Sequence, residues 1–167
     1  MNVKADALAK VLIRNFNDAP TEREQREPLY DSVCARLARG TAAKKLGVSI
    51  DTVAPGMRSC PYHFHYAQEE MFIVLEGTGT LRVADEMLPL KAGDIAFIPA
   101  GPEYPHQIIN TSEAALKYLS VSTREMPEIC EYPDSNKYLA MAALGEGRFF
   151  DAMHRKDSDL DYWDGEP

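Results

Sequence analysis

Three of the four histidines in this chain fall in two short stretches that also carry a carboxylate at a telling distance. His63 and His65 stand two apart in CPYHFHYAQEE, and Glu70 heads the run EMFIVLE that follows. On a strand, residues two apart project from the same face, so both imidazoles point one way. His106 comes about forty residues later and precedes Ile108 and Asn110, again at a period of two. Imidazole and carboxylate suit a borderline or hard divalent cation, so these four side chains, brought together, would hold one. The bland alternative for a lone histidine on an apolar strand is a satisfied hydrogen bond, and His154 in the tail is read that way. Glu69 competes with Glu70 for the carboxylate role. Glu70 shares strand parity with Phe72 and Val74, which read as inward-facing.

Such side chains need strands to carry them, and the sequence supplies strand-like runs from Lys45 onward. Leu46, Val48 and Ile50 alternate with Gly47, Ser49 and Asp51 before a Pro55–Gly56 turn. Short runs follow at Tyr62 to Tyr66, Met71 to Glu76, Gly79 to Ala84, Ile95 to Ile98, Gln107 to Asn110 and Leu116 to Ser122. Between them lie GTG at 77–79, KAGD at 91–94, PAGPEYP at 99–105 and NTSE at 110–113. Many short strands punctuated by Gly and Pro predict an all-β sandwich or barrel. Gly77, Gly79, Gly93 and Gly101 read as reversal points with φ above zero, and Pro99 as the end of a strand. The two ends look different. Ala5 to Phe16 and Leu29 to Ala38 read as short helices flanking a polar loop. The tail from Met126 reads as irregular, with a turn at Tyr132 to Asp134, a brief helix at Lys137 to Leu144 and a last strand at Arg148 to His154.

Two segments carry a resemblance to a known family. Gly56, His63, His65, Glu70 and Gly77 resemble the first cupin motif, in which HxH is followed by Glu and, after a gap of six residues, by Gly. Gly93, Pro99, Gly101, His106 and Asn110 resemble the second. Two spacings depart from the pattern, Gly56 to His63 and Gly101 to His106, and both departures fall in turns, where extra residues are tolerated. The resemblance spans about residues 46 to 122. It implies a double-stranded β-helix, the cupin or jelly-roll barrel, with short helical or irregular N- and C-terminal extensions. It also implies one divalent metal ion per chain (Fe, Mn, Ni or Zn) on His63, His65, Glu70 and His106, and a homodimer. The expected organisation is an N-terminal extension over 1–44, loop-rich and available to wrap a partner, a barrel over 45–125, and a C-terminal extension over 126–167 that packs on the barrel or the partner.

Residues near the motifs form the expected substrate pocket: Arg58, Tyr62, Phe72, Tyr104 and Gln107, with Met57 and Cys60 beside them. Arg58 is a bidentate donor for a carboxylate or phosphate, or simply a residue at the barrel rim. Cys60 is a soft ligand or, more ordinarily, an inert buried thiol. AAKKLGVSIDTV imitates part of a helix-turn-helix, but its β-branched content and the Pro55–Gly56 stop favour a first barrel strand.

Bulk properties narrow the partners. Hydrophobic residues make up 45% and charged residues 26%, an ordinary globular balance. A formal net charge of −8 argues against nucleic acid, which needs a basic face. The longest apolar runs are too short to cross a bilayer, and MNVKADALAK lacks the apolar core of a secretory signal. Three widely spaced cysteines without a CxxC pair suit free thiols in a reducing cytoplasm. The expected function is therefore a cytoplasmic metal-binding cupin acting on a small polar molecule, as a dioxygenase or as a sugar-phosphate or keto-acid isomerase. A carboxylate among the ligands counts against the thiol-dioxygenase subclass, which typically uses three histidines alone. The alternative is a non-catalytic cupin that binds or senses a small molecule.

Overall fold

Period-two patterning becomes paired strands in the computed structural model of the chain, which describes residues 3–144 and 147–167. Met1, Asn2, Gly145 and Glu146, which belong to the two expected extensions, lie outside the described residues. A helix, Val3–Leu12 (α1), precedes the strands Glu22–Arg26 (β1) and Tyr30–Arg36 (β2). Next come Leu46–Val53 (β3), Phe64–His65 (β4), Glu70–Glu76 (β5), Thr78–Val83 (β6) and Glu86–Lys91 (β7). Ile95–Ile98 (β8), His106–Ile109 (β9) and Leu116–Thr123 (β10) complete the middle of the chain. The tail adds Glu128–Tyr132 (β11), a 3-10 turn at Pro133–Ser135, Lys137–Leu144 (β12) and Gly147–Arg155 (β13).

All named pairings are antiparallel. They build a six-stranded sheet in the order β1-β2-β3-β10-β5-β8, a three-stranded sheet β7-β6-β9 and a four-stranded sheet β13-β12-β11-β4. The core lies between the first two. Val53, Phe72, Val74, Ile98, Leu116 and Tyr118 come from the larger sheet and meet Leu81, Leu90 and Ile108 from the smaller one. Leu116 is wholly buried, and burying a side chain of that size stabilises the fold by about 1.5–3 kcal/mol. Because Glu70 is in step with Phe72 and Val74, and His106 with Ile108, the strands that fill the core also aim two of the four candidate ligands inward.

Gly77 has the expected positive φ, +83°, and a Cβ there would strike the Ala115 carbonyl at 2.5 Å. Gly93 and Gly101 also have positive φ, but Gly79 does not. Gly79 lies inside β6, where a Cβ would come within 2.7 Å of Leu116 and 2.8 Å of the Ile109 carbonyl, so it is required by close packing and not by a turn.

Two expected helices are strands. Residues 30–36 of the Leu29–Ala38 stretch pair with β3 on one side and with β1 on the other. Lys137 to Leu144, rich in the helix formers Ala, Leu and Met, pairs with both β11 and β13. In each case ladder hydrogen bonds to two neighbours override a local preference worth only tenths of a kcal/mol per residue, on the order of 0.5 at most for such residues. The tail expected to be irregular from Met126 contains β11, and the last strand is present as expected. The expected strand over KLGVSIDTV is β3, and no recognition helix exists there. β1, with the sequence EREQR, is an outer strand whose charged side chains discourage pairing with another sheet edge. Among the described residues, no helix is long and apolar enough to cross a membrane.

Candidate metal centre

The two segments that carry histidines meet through backbone hydrogen bonds. The His63 N–H donates to the His106 carbonyl at 3.1 Å, and the His106 N–H returns a bond to the His63 carbonyl at 2.7 Å. β4 leaves the opposite way round on its other edge, pairing His65 with Cys130 and Phe64 with Glu131 of β11. Tyr62 and Phe64 occupy the alternate face and are buried, so His63 and His65 face together toward the lumen. Glu70 arrives from the first position of β5.

Its Oε2 atom is the meeting point. It lies 2.8 Å from His106 Nε2, 3.6 Å from His63 Nε2 and 3.6 Å from His65 Nε2. The other ring nitrogens point at acceptors. His63 Nδ1 lies 2.8 Å from the Pro61 carbonyl and His106 Nδ1 3.1 Å from the Tyr104 carbonyl, so each donates its N–H there. His65 Nδ1 lies 3.5 Å from Glu128 Oε1, and it lacks a closer partner. His63 and His106, anchored through Nδ1, and His65 each turn Nε2 toward the same Glu70 oxygen. Donor atoms of His63, Glu70 and His106 all lie within 4.8 Å of one another, a spacing that one divalent cation could bridge, and His65 Nε2 stands 3.6 Å from the same Glu70 oxygen.

Electrostatics favour the ionised carboxylate. Burial alone would push the Glu70 carboxyl upward, but hydrogen bonds from His106 and His63 and the charge of the imidazoles hold it well below the ordinary carboxylate range. Burial lowers the His106 pKa, although its hydrogen bond to Glu70 pulls the other way. Phe72 closes the site from below, its ring 5.6 Å from that of His106 and 5.8 Å from that of Tyr118.

Other expected pocket residues are placed elsewhere. Glu69 is exposed, and its backbone N–H donates to the Thr123 hydroxyl. Tyr62 is buried beneath the Arg82 guanidinium, 3.7 Å from the ring centre, with its hydroxyl accepting from the Asp85 N–H. Arg58 forms backbone bridges with Tyr30 and Ile109, and its charge acts on Asp134 outside the four-donor cluster. Gln107 faces away from the imidazoles and donates to the Cys60 carbonyl, and Tyr104 contributes its backbone carbonyl while its side chain is exposed. Met57 packs against the core, and the Cys60 sulfur lies 4.0 Å from His63 Nδ1. His154 stands on β13 beside Tyr138, far from the cluster in the sheet order.

Strand β11 contributes what the sequence reading missed. Glu128, Cys130 and Tyr132 alternate along it on the side of His65. The Glu128 carboxylate is fully buried, accepting from the Tyr66 and Ala67 N–H groups at 3.1 and 3.2 Å while facing His65. Donor atoms of His63, His65 and Cys130 also lie within 4.8 Å of one another. A cavity of about 200 Å³ opens here, lined by Cys60, His63, His65, Cys130, Tyr132 and Met141 among others. The alternation in EICEY was the available signal.

Comparison with known proteins agrees with this geometry. Residues 49–122 match the Cupin domain family. The chain is 33% identical over 151 residues to Auxin-binding protein 4 of Zea mays, covering 84% of this chain and 71% of that one. It is 28% identical over 121 residues to the Oxalate-binding protein of Thermotoga maritima, covering 72% of this chain and 92% of the relative. An uncharacterised protein of Methanocaldococcus jannaschii is 40% identical over 60 residues, and the chain spans only 46% of that relative's length. Among solved structures, one described as a sugar phosphate isomerase of the cupin superfamily from Silicibacter pomeroyi superposes with a TM-score of 0.74. It is 26% identical and is covered over 96% of its length by 90% of this chain.

Proposed function

The chain belongs to the cupin family, and from that premise we propose that it is a metal-dependent enzyme of the isomerase type acting on a small polar molecule. The observation that carries this reading is the convergence of three Nε2 atoms on one Glu70 oxygen. A divalent ion bound there would supply Lewis-acid polarisation of a substrate oxygen. The chain's own residues do the rest. His63 and His106 hold orientation through their Nδ1 anchors, His65 lies beside the buried Glu128 carboxylate, and Glu70 brings the negative charge. Phe72 and Tyr118 keep bulk water from the floor of the site. With four protein donors, an ion of six-fold preference keeps two positions for substrate or water. The similarity to a sugar phosphate isomerase favours isomerisation, and the carboxylate counts against thiol-dioxygenase chemistry.

A second reading, a cupin that binds a small molecule without converting it, draws support from its auxin-binding and oxalate-binding relatives. Homodimerisation belongs to the same proposal, with residues 1–44 reaching the neighbour. Exposed Leu8, Leu12 and Ile13 on and after α1 give that extension apolar side chains to bury.

Elemental analysis of purified protein, paired with a screen of aldose and ketose phosphates and keto acids, tests the assignment. Near-stoichiometric metal in the wild type and its loss in His63→Ala and His106→Ala are expected. Equal metal content in wild type and variants would remove the metal centre. A ligand that raises the melting temperature and is recovered unchanged would select the binding reading.

A further inference from the structure

The face of the six-stranded sheet that carries Glu70 continues away from the imidazoles as an unusually polar surface. Register fixes this. Ser122 of β10 lies opposite Glu70 of β5, Ser120 lies opposite Phe72 and also opposite Ser49 of β3, and Ser49 lies opposite Arg36 of β2. Directly opposed residues share a face, so Arg36, Ser49, Ser120, Ser122 and Glu70 all point to one side. Asp51, next in step on β3, accepts a 2.8 Å hydrogen bond from Ser49 and lies within electrostatic reach of both Arg36 and Glu70.

A cavity of about 500 Å³ opens over this surface, and the loop that follows β2 overhangs it. Arg36, Arg39 and Arg124 line it together with Ser49, Ser120 and Ser122. Arg36 and Arg39 share a single exposed carboxylate, Glu22, at 3.6 and 3.4 Å. Among the described residues Arg124 has no ion-pair partner, and the hydroxyls of Ser120 and Ser122 have no hydrogen-bond partner. The three guanidinium groups line the cavity and, among the described residues, no Asp or Glu does, in a chain of net charge −8. Gly47 makes the room: a Cβ there would come within 2.5 Å of the Ser122 hydroxyl. Ser122 also lines a second groove, of about 280 Å³, that reaches Glu70, so the two openings adjoin at this residue.

We propose that this pocket holds the oxyanion head group, a phosphate or a carboxylate, of the small molecule whose reacting end meets the metal centre. Arg36, Arg39 and Arg124 supply the charge, and Ser120 and Ser122 supply hydroxyl donors. Guanidinium groups match the geometry of such oxygens, and hydrogen bonds to ionised groups are the strong ones. The exposed pairs with Glu22 are weak and readily exchanged for a ligand anion. Three strand spacings separate Arg36 from the strand of Glu70, about 14 Å between backbones, and side chains reaching in from both ends shorten that gap to the length of a small metabolite. Placement of the reacting end rests on the metal-centre reading above; the oxyanion pocket itself does not.

The test is calorimetric titration of inorganic phosphate and, separately, acetate at low ionic strength into metal-stripped and metal-loaded protein. Saturable binding of at least one probe is expected in both forms, and the better probe names the head group. The double variant Arg36→Gln/Arg124→Gln should weaken it about tenfold or more, with Ser120→Ala weakening it less. Circular dichroism confirms that the variants fold. Absence of saturable binding by either probe, or binding that the arginine changes leave untouched, would overturn the pocket. Metal content recorded on the same samples separates the two proposals. Arginine-dependent phosphate binding by a protein with no affinity for metal would sink the metal centre alone.

Discussion

The two faces of one sheet are opposite in character, and in the reverse of the usual sense. Across β3, β10, β5 and β8 the inward face at the Glu70 end carries Ser49, Asp51, Ser120, Ser122 and Glu70. The outward face over the same strands carries Val48, Ile50, Leu119, Val121, Met71, Ile73, Ile95 and Phe97. Phe97 is 70% exposed and Ile95 51% exposed on that side. A sheet whose only task was to cover a core would place these sets the other way round. Polar side chains turned inward would serve the proposed ligand, and the exposed apolar ones turned outward, Phe97 and Ile95 above all, suit the proposed second copy of the chain.

Substitutions on the two faces should therefore separate cleanly. Deeper along the same inward face the lining becomes apolar, and Leu116→Ala there should cost about 2–5 kcal/mol in urea unfolding, since it leaves a cavity that its neighbours fill only in part. A cost near zero would mean that the lumen floor is not packed as described. Glu128→Gln should lower metal affinity about 10–100-fold while leaving the four donors in place, because the carboxylate behind His65 orients that ring. Competition with a chelator measures this, and unchanged affinity would show Glu128 to be only a cap for the Tyr66 and Ala67 amides. On the outward face, Phe97→Asp should change monomer stability by no more than about 0.5 kcal/mol yet convert a dimer to a monomer in light scattering. A dimer that survives the change would place the interface elsewhere.

A pH series sharpens the same contrast. The His106 imidazole titrates below its ordinary value of 6.5 and the Glu70 carboxyl below its ordinary 4.5, so both stabilise the metal-free fold at neutral pH. The His106 contribution is lost as pH falls below about 6.5 toward its folded value, and that of Glu70 only at more acid pH. Asp51, raised mainly by burial, acts in the opposite direction and flattens the profile where it titrates. Against its burial, the neighbouring Cys60 and Glu70 raise the His63 imidazole well above 6.5, so its contribution is complete below that pH and is lost as pH rises. Below the range in which His63 titrates, metal-free protein should show a lower urea midpoint at about pH 3.5 than at about pH 6. The reverse order would contradict these assignments.

The sequence made the inward-facing donors legible because each lies in a local pattern: HFH, the start of EMFIVLE, and HQIIN. It also made most strands between Leu46 and Thr123 legible, where alternation and turn residues agree. β7 went unread because Pro89 interrupts its alternation, although Pro is tolerated where a strand needs no donor on one side. β2 and β12 were hidden by Ala, Leu, Arg and Met, whose helical preference yields to pairing with partners remote in sequence. The support for His65 and the arginine pocket were illegible for a related reason. Glu128 reaches the amides of Tyr66 and Ala67 from about sixty residues away, and Arg124 meets Arg36 only because β10 and β2 both lie beside β3. No local window contains either arrangement.

The strand that bears His65 is only two residues long, and its hydrogen-bonding neighbour is β11, which follows it at a distance of more than sixty residues. A hairpin-sized ladder of that kind has little independent stability. During synthesis, the His65 carbonyl can already accept from the Gly101 N–H, but its ring gains its Glu128 neighbour only once β11 arrives, whereas Glu70 and His106 are already seated among the residues of the core. Loading of the proposed metal would then be completed late in the maturation of this protein. Shortening the tail before β11 would leave a barrel with most of its strands and an ion site that never finishes assembling.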